Sequence, residues 1–298
     1  MPAGSYHLEP ERPELGAPVL VHALTGFMDA GGASRLAVEH LLENCHPTRV
    51  ATFEIDALFD YRSRRPRTLF ESDHYASVAL PELVVDACVD EDGERFLILH
   101  GAEPDMAWGA VVDGIVRLIE ALGVRMVVGL HAIPWPAPHT RPVNITKHAN
   151  DPTLIVDAQP WVGSIEVPGS VAALLEVRLG ERERPAMGFA AHVPHYLAQA
   201  QFPRGALVLL QSLCSATGLA LPLDELREAA EESDADISIQ VATNPENLEA
   251  VTALESQYDE QMTDRAATPP DRRVPTGELD IAAQVEAFLA ELEQGDTP

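Results

Sequence analysis

In EPDMAWGAVVDGIVRLIEALGVRMVVGL, a helical apolar period gives way directly to a solid apolar run of strand length. Trp108, Val111, Val112, Ile115, Ile119 and Leu122 recur at i, i+3, i+4, i+7, i+11 and i+14, the stripe of a helix with one buried face. Pro104 suits the first helical position, acids fill the predicted first turn and Gly123 ends it. Residues 124–130 then read as a strand covered on both faces, as in the parallel sheets of α/β proteins.

The same alternation opens the chain. PVLVHALT (18–25) reads as a buried strand, ASRLAVEHLLEN as a helix with Asp29 as its N-cap, and RVATFEI (49–55) as the next strand. Strand, helix, strand is the signature of a parallel βαβ unit. Residues 57–75 show no clear period but hold the dense basic patch Arg62, Arg64, Arg65 and Arg67. LVVDACV, DEDGE and RFLILHG read as a β-hairpin turning at Asp92–Gly93. A helix at 169–181, a strand at 185–194 and a helix at 203–218 complete the series. From 221 the chain becomes acidic and helical. The expected architecture is α/β: a mixed, mostly parallel sheet flanked by helices over residues 1–220, with a hairpin insertion near 83–100. Residues 221–298 form a helical lid or appendage.

Charge excludes some partners. The net charge is −27, and residues 221–298 hold 20 acidic and four basic side chains. Such a surface repels phosphate backbones and anionic lipid, so neither nucleic acid nor a membrane is an expected partner. Three cysteines without CxxC spacing imply no disulfide framework or zinc knuckle. The N-terminal residues lack the basic and apolar regions of a signal peptide, and no apolar run approaches bilayer length, so a cytoplasmic location is expected.

Ligands of open α/β sheets gather beyond the carboxyl ends of the strands. The loops there would bring Asp29, His100, Glu103, Asp105, His131, His139, Arg141, Asn144, His192 and His195 to one rim. Each has a second reading. Asp29 sits in a turn that could bind an anion or simply cap a helix. Glu103 and Asp105 could act with His100 as acid and base, or answer a helix dipole. HAIPWPAPHTRPVN (131–144) carries four prolines that stiffen it. It serves either as a preorganised rim for an anion or a partner's chain terminus, or as a loop packed under the appendage. No nucleophile elbow or H-E-x-x-H motif is present, so no catalytic residue, metal or cofactor is assigned.

LTGFMDAGGAS, the block from LHGAEPDMAWGAVVDG to LHAIPWPAPHTRP, VPGSVAALLEVRLGE and GFAAHVPHYLAQAQFP together resemble the proteasome assembly chaperone two family in its actinobacterial branch, over roughly residues 15–220. The resemblance implies a core similar to purine nucleoside phosphorylases and peptidyl-tRNA hydrolases. It also implies self-association through a β-hairpin, as a homotrimer, and a C-terminal helical lid over a cleft. It implies an assembly-chaperone-like or ligand-binding protein. A small-molecule hydrolase or transferase acting on a nucleoside-like or peptide-like substrate in that cleft is the alternative. The closing EQGDTP departs from the hydrophobic–tyrosine–any ending by which eukaryotic and archaeal members dock on the proteasome.

Overall fold

A computed structural model of the chain describes residues 3–26, 28–156, 164 and 166–267. Among these residues ten strands form: β1 (Tyr6–Leu8), β2 (Val19–Thr25), β3 (Thr48–Phe53), β4 (Arg67–Glu71), β5 (His74–Ala79), β6 (Leu83–Val89), β7 (Arg95–Ala102), β8 (Met126–Trp135), β9 (Ile145–Ala149) and β10 (Ala186–Pro194). Six helices accompany them: α1 (Ala33–Asn44), α2 (Trp108–Ala121), α3 (Val171–Gly180), α4 (Pro203–Thr217), α5 (Asp224–Thr243) and α6 (Pro245–Ala267).

Eight strands make one sheet in the order β1-β3-β6-β7-β2-β8-β10-β9, while β4 and β5 form a separate two-stranded ribbon. Strands β7, β2, β8 and β10 run parallel. The pairs β1–β3, β3–β6, β6–β7 and β10–β9 are antiparallel. The sheet is therefore mixed, and the expectation that it is mostly parallel is corrected. The opening strand–helix–strand unit forms, but β3 does not lie beside β2. The β6–β7 pair intervenes, because a connection as long as α1 and its loops lets the chain skip places in the sheet.

Alternate residues of the strands feed two apolar layers. Val19, Val21, Val128, Phe189 and Ile98 pack with α1, α4 and α5 on one face. Leu20, Val127, Leu97 and Leu99 pack with α2 and α3 on the other. Leu226 and Ala230 of α5 belong to the first layer. By contrast, Val251 and Tyr258 are the buried apolar side chains of α6 among the described residues.

Local expectations fail in two places. Helix α2 begins at Trp108, four residues after Pro104. The amides of Asp105 and Met106 instead donate to the Leu58 carbonyl (2.9 and 3.1 Å), and Ala107 turns left-handed at φ 59°. Tertiary bonding to the 54–66 loop thus displaces the first helical turn. The second correction concerns the hairpin. Residues 83–101 do form one, but every residue of β6 except Val89 is buried, so it is sheet core and not an insertion. The protruding hairpin is β4–β5, in the stretch without a readable period, where every residue of both strands is exposed.

Candidate functional site

The proline-rich stretch 131–144 begins as strand: β8 runs through His131 to Trp135, and the loop proper carries His139, Thr140, Arg141 and Asn144. The prolines fix this loop as a dock for the C-terminal helices. The His139 amide donates to the Tyr196 hydroxyl (2.8 Å), and that hydroxyl bonds the ring Nδ1 (2.7 Å). Nε2 reaches Ser238 of α5 at 3.2 Å. Burial holds the His139 pKa down against the pull of Asp234 and Glu255, and pushes the Tyr196 phenol up to about 12. Arg141 grips Asp259 of α6 through Nε (2.8 Å) and Nη2 (2.7 Å), a bidentate pair, and reaches Glu255 at 3.3 Å. The Thr140 hydroxyl also donates to Glu255, and Asn144 Nδ2 to the Tyr258 hydroxyl (3.3 Å). His139, Arg141 and Asn144 are thus engaged within the chain, as the packed-loop reading expects.

The remaining candidates make separate contacts, and Asp29 is bridged to Ala132 of β8, next to His131. Asp29 receives the amides of Ser34 (2.8 Å) and Arg35 (3.0 Å), holding the first turn of α1 from beyond a 3-10 turn at Ala30–Gly32. His100 Nε2 lies 2.7 Å from Asp86 Oδ2, whose other oxygen accepts from Arg49 Nε at 2.6 Å. This chain crosses β7, β6 and β3. The buried Glu103 accepts the Val171 amide (2.7 Å) at the start of α3, so it serves a different helix from the one its sequence position implied. Burial raises its pKa, the Val171 bond and Arg64 opposing. Asp105 pairs with Arg64 (2.8 Å) and accepts the Asp60 amide (2.9 Å). His195 is exposed, its ring edge-on to Tyr196.

What the sheet does assemble is a row of imidazoles on its α3 side. His22 of β2 is level with Gly129 of β8, Gly188 of β10 and His148 of β9. The two outer rings fold inward over the two glycines. A Cβ on Gly129 would stand 2.9 Å from His22 Cε1, and one on Gly188 2.3 Å from His148 Cε1. Only glycine at both positions lets the rings lie on the strands. One step along, His131 sits with its ring centroid 5.4 Å from that of His148. Further on, His192 stacks on Trp135 at 3.9 Å and bonds the Thr146 hydroxyl at 2.7 Å.

Burial disfavours a charge on two rings of the row. Burial pushes His22 down to about 4, with Glu176 resisting and His148 assisting. Burial, with help from His148 and His22, takes His131 to about 3. Glu176 of α3 holds His148 Nδ1 at 2.7 Å, which turns Nε2 inward, buried and without a hydrogen-bond partner. An uncharged imidazole can accept and donate hydrogen bonds and pass a proton between its ring nitrogens. Among the described residues, no group of three or more His, Cys, Asp or Glu could hold a metal ion. His131 and His192 were expected at the site. His22 and His148 were not, although the glycines interrupting two apolar strands marked close approach.

A mixed sheet covered by helices on both faces, with a naked hairpin at one end and a latched helical pair over its carboxyl loops, defines the class of fold. The chain belongs to the PAC2 family, whose model matches residues 23–241. It is similar to the Mycobacterium tuberculosis protein of unknown function Rv2714, at 44% identity and a TM-score of 0.84, covering 89% of this chain and 92% of that one. It is also similar to the M. tuberculosis proteasome-assembly chaperone homologue Rv2125, at 27% identity and a TM-score of 0.72, covering 78% and 99%. The Pyrococcus furiosus archaeal proteasome activator PbaB shares the fold at 15% identity, with a TM-score of 0.61 and coverage of 78% and 97%. A search of curated proteins finds no match. No helix among the described residues is long and apolar enough to cross a membrane.

Proposed function

We propose that the chain is a homo-oligomeric, assembly-chaperone-like binding protein of the cytoplasm that works by presenting surfaces to protein partners. Its oligomer is a trimer. The observation that carries this reading is the β4–β5 ribbon, where Leu69, Phe70, Tyr75 and Val78 are each more than half exposed. A two-stranded ribbon standing alone is marginal in water, and its open edges and apolar side chains invite a second chain. Phe70 and Tyr75 pack edge to face with centroids 5.1 Å apart, a ready anchor for a copy of the same ribbon. The family and the chaperone homologue among its neighbours support the same reading. Residues 1–220 act as the core and 221–298 as an appendage, whose helices α5 and α6 latch over the carboxyl loops. Light scattering behind gel filtration tests the proposal: the native chain should elute as a trimer, and the double variant F70E/Y75E as a folded monomer. A native monomer at micromolar concentration, or an unchanged trimer in the variant, would overturn it.

A second reading, a small-molecule hydrolase or transferase on a phosphorylase-like core, rests on the imidazole row. The Nε2 of His148 has no hydrogen-bond partner and sits buried beside His22 and His131. A substrate with both donors and acceptors, nucleoside-like or peptide-like, would satisfy such nitrogens. In a thermal-shift panel of nucleosides and amino-acid derivatives, a true ligand at a hundredfold excess over Kd stabilises by about 2.7 kcal/mol. H131A should abolish that shift. Silence across the whole panel, or a shift that survives H131A, removes this reading.

A further inference from the structure

The tip and the root of the β4–β5 ribbon present different chemistry. At the root lies a cleft of about 220 Å³ lined by Phe59, Arg64, Arg65, Pro66, Leu80 and Pro81, among others. Apart from Arg64 and Arg65 its walls are apolar and stiffened by two prolines, and Leu80 is half exposed. Arg64 is committed to Asp105. The neighbouring Arg62, Arg65 and Arg67 are exposed and make no ion pair among the described residues. Three exposed guanidiniums, Arg65 in the wall of the cleft and Arg62 and Arg67 two or three residues away along the chain, are unexpected in a chain of net charge −27. They define a partner that is apolar on one side and acidic on the other.

The chain carries such a segment. In Glu278–Glu293, ELDIAAQVEAFLAELE, the apolar residues Ile281, Val285, Phe288, Leu289 and Leu292 fall at i, i+4, i+7, i+8 and i+11, one face of a helix. Glu278, Asp280, Glu286, Glu291 and Glu293 supply five acidic groups, and no lysine or arginine interrupts them. Geometry permits the encounter. The ribbon leaves the sheet at the carboxyl end of β3, and β3 and β8 point the same way, so ribbon and loop 136–144 rise from one end of the sheet. That loop holds α6 through Arg141 and Asp259. Residues 268–277, which join α6 to the segment, can span up to about 36 Å when extended.

We propose that residues 278–293 dock their apolar face in the cleft at the ribbon's root and set their acidic flanks against Arg62, Arg65 and Arg67. The inference is independent of the oligomer proposed above, which uses the tip of the ribbon.

Hydrogen exchange on the full-length chain tests it. An isolated helix of this length is marginal in water, so slow exchange over 278–293 reports docking. In the native chain this segment and residues 59–67 should be protected together. R65E/R67E should speed exchange of the segment by about tenfold or more and leave the sheet unchanged. E286R/E291R should do the same, and the quadruple variant should restore protection through the reversed charges. Fast exchange of the segment in the native chain overturns the inference, as does protection indifferent to R65E/R67E or a quadruple variant that fails to recover. If a second copy covers the cleft instead, protection of 59–67 will rise with protein concentration and survive E286R/E291R, and the inference falls.

Discussion

Two antiparallel hairpins follow one another along this chain and meet opposite fates. In β6–β7, both faces of the strands are covered, by α1 on one side and α2 on the other, and Leu83, Val85, Leu97 and Leu99 are fully buried. In β4–β5, a few residues upstream, no residue is buried. The apolar content is not what separates them, since the exposed ribbon also carries Leu69, Phe70, Tyr75 and Val78. The difference is that β7 finds a parallel neighbour in β2 and β6 an antiparallel one in β3. Among the described residues the ribbon pairs only with itself. A hairpin motif therefore specifies a local pairing, and whether it becomes core or docking surface depends on what the rest of the chain brings to it.

Three substitutions sharpen this contrast. The largest effect is expected at Leu99. Truncation to alanine should cost about 2–5 kcal/mol, because a fully buried leucine leaves a cavity that the sheet cannot close. A urea midpoint shift below that range would mean the hairpin is less tightly covered than its burial implies.

An intermediate effect is expected at Asp86, the polar centre of the buried hairpin. Burial raises its pKa, but the hydrogen bonds from His100 and Arg49 outweigh it, leaving the group below its ordinary value of 3.8. Its folded value being depressed, the stability it contributes is present above pH 3.8 and is lost as pH falls through the lower folded value. D86N should therefore lose about 1–3 kcal/mol at neutral pH. Its urea midpoint should converge with that of the native chain as pH falls below 3.8. Parallel curves at all pH values would show that the carboxylate's charge is not what stabilises the hairpin. The smallest effect belongs to the exposed ribbon. L69A should change stability by no more than about 0.5 kcal/mol, and a larger loss would mean that the ribbon is already covered in solution.

The candidate site was legible where its chemistry is local. Asp29 was expected as the N-cap of α1; Gly32 holds that position, but the Asp29 carboxylate still accepts the Ser34 and Arg35 amides of the first turn. His131 and His192 were expected in loops beyond the carboxyl ends of their strands; they lie instead within β8 and β10, on one face. Glu103 was misread because its helix is chosen in three dimensions: the amide it meets belongs to Val171. His22 and His148 passed unnoticed because their significance lies sideways across four strands, over Gly129 and Gly188, and no spacing along the chain records that. Arg141 was legible as a fixed guanidinium but not as the latch of α6, since its carboxylates arrive from residues 255 and 259.

The sequence by itself determined the apolar elements of the core: an apolar period of two or 3.6 residues must bury one face, and solid apolar runs must be covered on both. It also determined the acidic character of the C-terminal region and the stiffness of loop 131–144, since these follow from composition and from proline's fixed φ. Only the tertiary structure decided the strand order, which hairpin stays naked, and which imidazoles share a face. Those outcomes depend on pairing between residues far apart in the chain, and backbone hydrogen bonding is the same for any partner that fits.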